Sequence, residues 1–192
     1  MRLNHRKKPT GFTLIEMVGV LAVIAILAAI LVPKIFSAIE ESRYNNAIAS
    51  VNGVKAATMN YFAQKGAFTV DAGATKFDNR LISNGDLERP FATRIGNGWE
   101  CNALLAAAAG VVDGNRFSKL DGTVNVAASG IVIQCKIAGV PGADALELSK
   151  RIDGTAMSAA NATALDDLGR VIYAAPDAGT GLTDVFVYIA HK

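Results

Sequence analysis

Between Phe12 and Val32 the chain holds 21 residues, and Glu16 is the single charged one among them. Coiled as an α-helix, that run spans about 31 Å, which matches the hydrocarbon thickness of a bilayer. A carboxylate inside such a segment costs about 2–3 kcal/mol on insertion scales. Its chemistry is therefore that of an anion asking for a cation, or for a route to the interface. Ahead of it lie Arg2, Arg6, Lys7 and Lys8, closed by Gly11. A secretory signal peptide fits the basic start but not an acid inside the apolar region, nor Pro33-Lys34 where a small-residue cleavage site belongs. A plain membrane anchor fits the basic start through the positive-inside rule, and leaves Glu16 unexplained.

The segment Gly11-Phe12-Thr13-Leu14-Ile15-Glu16-Met17 resembles the leader junction of type IV pilins and of the related pseudopilins of type II secretion. The resemblance covers about the first 50 residues: basic leader, glycine, phenylalanine, glutamate four residues on, apolar helix and Pro33. It implies that a prepilin peptidase cuts between Gly11 and Phe12 and methylates the new amine of Phe12. An α-amine has an ordinary pKa of about 8, so it is largely cationic at neutral pH. A carboxylate and an ammonium buried together stabilise each other provided they meet. The resemblance thus implies that Glu16 of an incoming subunit meets the Phe12 amine of a neighbour, with Phe12, Glu16 and Pro33 as assembly residues. Before cleavage that amine does not exist, so processing gates assembly.

The function this implies is structural: a type IV pilin, stored in the inner membrane as a single-pass subunit and assembled into a helical filament at the cell surface. Its implied partners are copies of itself, the prepilin peptidase, the inner-membrane assembly platform and, before assembly, the lipid bilayer. Two alternatives stay open. One is a pseudopilin of a type II secretion system or a minor pilin. The other, of a different class, is a membrane-anchored periplasmic enzyme or binding domain that shares only the leader.

Other chemistry is sparse. The chain has two histidines, His5 and His191, and only His191 follows Gly11. A histidine-dependent triad would have to use that near-terminal residue. There is no HExxH, P-loop or GxGxxG pattern, so neither catalysis nor a cofactor is expected. Asp177 and Asp184 lie in an oxygen-rich stretch and form a weak calcium candidate; acidic turn residues are far commoner than calcium sites. Cys101 and Cys135 are the two cysteines. In the oxidising compartment that a translocated chain reaches, such a pair favours one disulfide, with two buried thiols as the alternative. With 57 residues after Cys135, the pair does not bracket the C-terminal region as it does in many major pilins. The whole chain has 19 Lys+Arg and 17 Asp+Glu; without residues 1–11 it has 15 and 17. The basic character belongs to the leader, and no specific nucleic-acid partner is expected.

The elements that must position these residues follow from periodicity. After Pro33 the apolar positions become one-sided: Ile35, Phe36, Ile39, Tyr44, Ile48, Val51, Val54, Met59 and Phe62. That predicts an amphipathic continuation of the helix to about Lys65, capped by Gly66, with Arg43 and Lys55 facing outward. Pro33 and the β-branched residues before it predict a local kink or melting near 25–33, although Ala25 stands where many relatives have glycine. Three regions result: leader 1–11, helix 12–65, and a globular head 66–192. In the head, a short helix is expected near 79–88 and a helix-leaning run at 101–109. A strand is expected at 130–138, a helix from Pro141 to Ile152, and two strands at 169–174 and 183–189. The fold class is α+β: a long N-terminal helix, membrane-spanning in its first half, packed in its second half against an antiparallel sheet.

Overall fold

The computed structural model describes residues 11–71, 75–106 and 130–192. Residues 1–10 of the expected leader 1–11 lie outside them, as do 107–109 at the end of the helix-leaning run. Two compact units are present, Met1–Glu41 and Ser42–Lys192.

Helix α1 runs from Leu14 to Lys65 and passes through Pro33 without a break. The expected melting at 25–33 is absent. Proline's fixed φ is itself helical, so it removes one backbone hydrogen bond without reversing the chain. Alanine at positions 25, 28 and 29 supplies strong helix formers just ahead of it. In the first unit every described residue is exposed. The 18-residue window there has a mean hydropathy of 2.9, long and apolar enough to cross a membrane by length and composition.

The second unit has one main core. From α1 it takes Ala47, Val51, Val54, Ala57 and Thr58, which recur at three- and four-residue steps along one face. The Thr58 hydroxyl is satisfied within the helix by donating to the Val54 carbonyl at 2.8 Å. Small Ala47 and Ala57 let the helix sit close to the head; the larger residues Tyr44, Ile48, Tyr61 and Phe62 pack at the margins. Ile35, Phe36, Ile39 and Met59, read as part of the same stripe, are exposed. Arg43 is a further correction: it is half-buried, and its Nε donates to the Arg94 carbonyl at 3.1 Å.

Helix α2 (Phe77–Asn84) follows and ends at Gly85 in the left-handed conformation. The sheet consists of β1 (Gly98–Leu105), β2 (Ile131–Pro141), β3 (Val171–Tyr173) and β4 (Leu182–His191), with α3 (Gly142–Asp153) between β2 and β3. Its spatial order is β1-β2-β4-β3, antiparallel throughout. Side chains alternate as a pleated sheet requires. Ile133, Cys135, Ile137, Tyr173, Val185 and Val187 face the core shared with α1 and α3, while Val132, Ile172 and Phe186 form a smaller cluster on the other face. The helix-leaning reading of 101–109 is corrected over its first part, where Cys101–Leu105 are strand. The fold class is that expected: a long N-terminal apolar helix with a C-terminal domain built on an antiparallel sheet.

Candidate functional site at the start of the apolar helix

Gly11, Phe12 and Thr13 precede the helix, which begins at Leu14, so Thr13 is the residue before the first helical turn. Thr13 and Glu16 hold each other there. The Glu16 carboxylate accepts from the Thr13 backbone N–H at 2.8 Å and from the Thr13 hydroxyl at 2.7 Å. In return the Thr13 Oγ1 accepts from the Glu16 N–H at 3.4 Å. This is a reciprocal capping box, a threonine and a glutamate three residues apart each satisfying an N–H that the helix leaves unpaired. The acid also stands in the first turn, where the helix dipole favours negative charge. Among the described residues Glu16 has no cationic partner.

Around this acid the surface is apolar and bare. Phe12, Leu14 and Ile15 are 79%, 82% and 79% exposed, and the apolar residues as far as Ile39 are open in the same way. An exposed apolar patch of this length marks a surface that water does not cover in the working state, whether lipid or protein. Pro33 lies within the same exposed stretch, its carbonyl accepting from the Ser37 hydroxyl at 3.2 Å.

These observations set the frame for the comparison with known proteins. Residues 6–32 carry the prokaryotic N-terminal methylation motif. Fimbrial protein EcpC of Eikenella corrodens is 39% identical over 64 residues, which are 33% of this chain and 42% of that protein. The chain thus matches less than half the length of this curated relative. No solved structure matches. The motif, a class III prepilin leader, and the fimbrial relative support the pilin and pseudopilin family. The long apolar helix followed by an antiparallel sheet domain is a pilin-like α+β architecture.

In the head, Cys101 and Cys135 stand directly opposite each other in the β1–β2 register and are joined as a disulfide, with Cα atoms 4.2 Å apart. Asp177 and Asp184 border a common concavity of about 500 Å³. Each carboxylate is already engaged. Asp177 Oδ1 accepts from the N–H groups of Gly179 and Thr180 and from the Thr180 hydroxyl. Asp184 accepts from the Gly139 N–H at 3.0 Å and pairs with Lys136 at 2.8 Å. Among the described residues no three His, Cys, Asp or Glu side chains converge. His191 is exposed at the end of β4, and its Nδ1 meets the Tyr188 hydroxyl.

Two further acids belong to no motif in the sequence. Asp166 is 2% exposed and accepts from the Ser149 hydroxyl at 2.7 Å and the Ala159 N–H at 3.2 Å. Asp153 Oδ2 accepts from the N–H groups of Arg170 and Val171 at 2.8 and 2.7 Å. Burial pushes both carboxyls above their ordinary range, against the pull of those hydrogen bonds. Tyr173 is fully buried beside them, and desolvation with the nearby Asp166 charge pushes its phenol up to about 12. Aspartates are common at turns, so nothing local distinguishes these two. The capping pair had a signal, the Thr-x-x-Glu spacing ahead of an apolar run.

Proposed function

We propose that the chain is a pilin, the structural subunit of a type IV pilus. A prepilin peptidase cleaves the Gly11–Phe12 bond and methylates the Phe12 amine. The subunit is held in the inner membrane by the first half of α1, then drawn by an assembly platform into a helical filament of identical copies. The observation that carries this reading is Glu16, four residues beyond Phe12 at the head of an apolar helix that is exposed along its first half and offers the acid no cation. A second copy would supply one: the ammonium created at Phe12 by cleavage. Because acid and amine then lie on different copies, the contact is heterologous and does not close, which yields a fibre. Division of the chain into leader 1–11, helix 12–65 and head 66–192 belongs to the same proposal.

The test is peptide mapping of sheared surface material together with electron microscopy. Long fibres whose subunit begins at a methylated Phe12 are expected. Gly11→Arg is expected to leave uncleaved precursor in the membrane, and Glu16→Ala to be cleaved and inserted but poorly assembled. Normal fibres from Glu16→Ala would sink the pairing. Processing without long fibres, combined with loss of secretion on deletion, would point instead to a pseudopilin. A soluble catalytic or ligand-binding activity of the head would point to an anchored enzyme or binding domain.

A further inference from the structure

We propose that a groove on the flank of α1, within the second unit, receives the Glu40–Glu41 turn of a second copy of this chain. The inference rests on the filament reading and names one contact that such a filament would use. The groove has a volume of about 550 Å³. It is lined by Ala49, Ser50 and Gly53 of α1 and by the buried Phe91, with the exposed Arg89 and Arg94 at its rim. A Cβ placed on Gly53 would meet nothing within 4 Å, so the helix surface there is open to an approaching backbone. Arg89 and Arg94 are exposed and form no ion pair among the described residues. Arg43 of α1 is turned to the Arg94 carbonyl, to which its Nε donates at 3.1 Å. Glu88, exposed beside Arg89 in sequence, does not line the groove. Two guanidinium groups on the rim of one concavity focus a positive field into it.

The complementary charge is on the same chain at a different place. Besides Glu16, Glu40 and Glu41 are the only acids in α1. They are adjacent, exposed and without an ion pair among the described residues. A guanidinium matches a carboxylate with two parallel hydrogen bonds, which fixes geometry as well as charge. Donor turn and receiving groove occupy different positions on one molecule, so joining them propagates from copy to copy. With the α1 helices of neighbours parallel, Glu40–Glu41 of one and Ala49–Gly53 of the next differ by about ten residues. The contact thus requires an axial offset of about 15 Å between copies.

Charge reversal in the producing cell tests this, using the full chain. The variants are Arg89→Glu with Arg94→Glu, Glu40→Arg with Glu41→Arg, and all four together. Disulfide formation and the thermal midpoint of the detergent-solubilised chain check that each folds. Each double variant is expected to lower sheared fibre by about fivefold or more while processed subunit accumulates in the membrane, and the fourfold variant to restore it to within about twofold. Unchanged fibre from the arginine double variant, or a fourfold variant no better than the doubles, would overturn the contact and leave the filament reading standing. Unchanged fibre together with lost capture of a phosphate-rich oligonucleotide would assign the groove to a polyanion instead. Absence of fibre from the unmodified chain would overturn both.

Discussion

Thr13 and Glu16 form a closed pair in the isolated chain, the carboxylate taking the threonine N–H and hydroxyl while the threonine oxygen takes the glutamate N–H. The acid that assembly would recruit is thus already held at the helix start. A neighbour's ammonium would join this arrangement rather than find a loose side chain, which reduces the rotamer entropy lost on contact.

Cap and charge can be separated. Thr13→Ala removes the cap and is expected to cost about 1 kcal/mol at the helix start, with assembly lowered but present. Glu16→Gln keeps an oxygen acceptor for the Thr13 N–H and removes the charge, and assembly is expected to fail. Fibre yield, read beside the Thr13 amide shift in detergent micelles, distinguishes them. Equal loss from both variants would assign the effect to the cap.

The disulfide closes a separation of 34 residues between two strands that are already paired. Replacing both cysteines by alanine is expected to destabilise the head by about 3–4 kcal/mol in the chain-entropy picture. Thermal melting of the detergent-solubilised chain with and without reductant measures it, and a change under about 1 kcal/mol would contradict this loop-closure contribution.

Asp166 gives a pH dependence of definite sign. Burial raises its folded-state pKa above the ordinary carboxyl value of 3.8. A group raised on folding contributes stability that is complete below the unfolded pKa and is lost as pH rises through the folded one. The stability advantage of the wild type over Asp166→Asn is therefore expected to shrink as pH climbs from 3 towards 7. Denaturant unfolding at several pH values reads it. Asn keeps an oxygen for the Ser149 and Ala159 donors, which both meet Oδ2, but turns its NH2 towards the Leu168 N–H that Oδ1 accepts, so an underlying loss of about 1–3 kcal/mol is expected at neutral pH. An advantage that grows with pH would show that hydrogen bonding outweighs burial at this site.

Gly169 tests the neighbouring joint. Its φ is +78°, and a Cβ there would come within 2.6 Å of the Asp153 carboxylate that holds Arg170 and Val171. Gly169→Ala is expected to cost about 1–3 kcal/mol through left-handed strain and displacement of Asp153. A melting midpoint equal to wild type would contradict that.

Local pattern made much of this fold readable. Helix α3 and strands β2, β3 and β4 follow from β-branched runs, turn residues and the Pro141-Gly142 start, all of which act within a few residues. Strand β1 was not readable in that way. The alanine-rich run after Cys101 favours helix by propensity, but pairing with β2 from Gly98 to Leu105 outweighs it, and such pairing is invisible locally. The same holds for Asp166, whose burial depends on Ser149 arriving from 17 residues away. At the helix start the opposite was true. The Thr13–Glu16 spacing lies within one helical turn and is legible as a capping box, while the cost of a charge in an apolar run points past it to an outside partner.

The closure between β1 and β2 decides what a break in the chain does. Five residues beyond Cys101, the Ala106 N–H bonds the Gly130 carbonyl at 2.8 Å, so positions 106 and 130 are held together at the far end of the β1–β2 pairing. A single cut of the chain between Cys101 and Cys135 leaves the two pieces covalently joined through the cystine. One backbone break between these paired strands therefore cannot release either piece, and the subunit is protected there by its covalent topology.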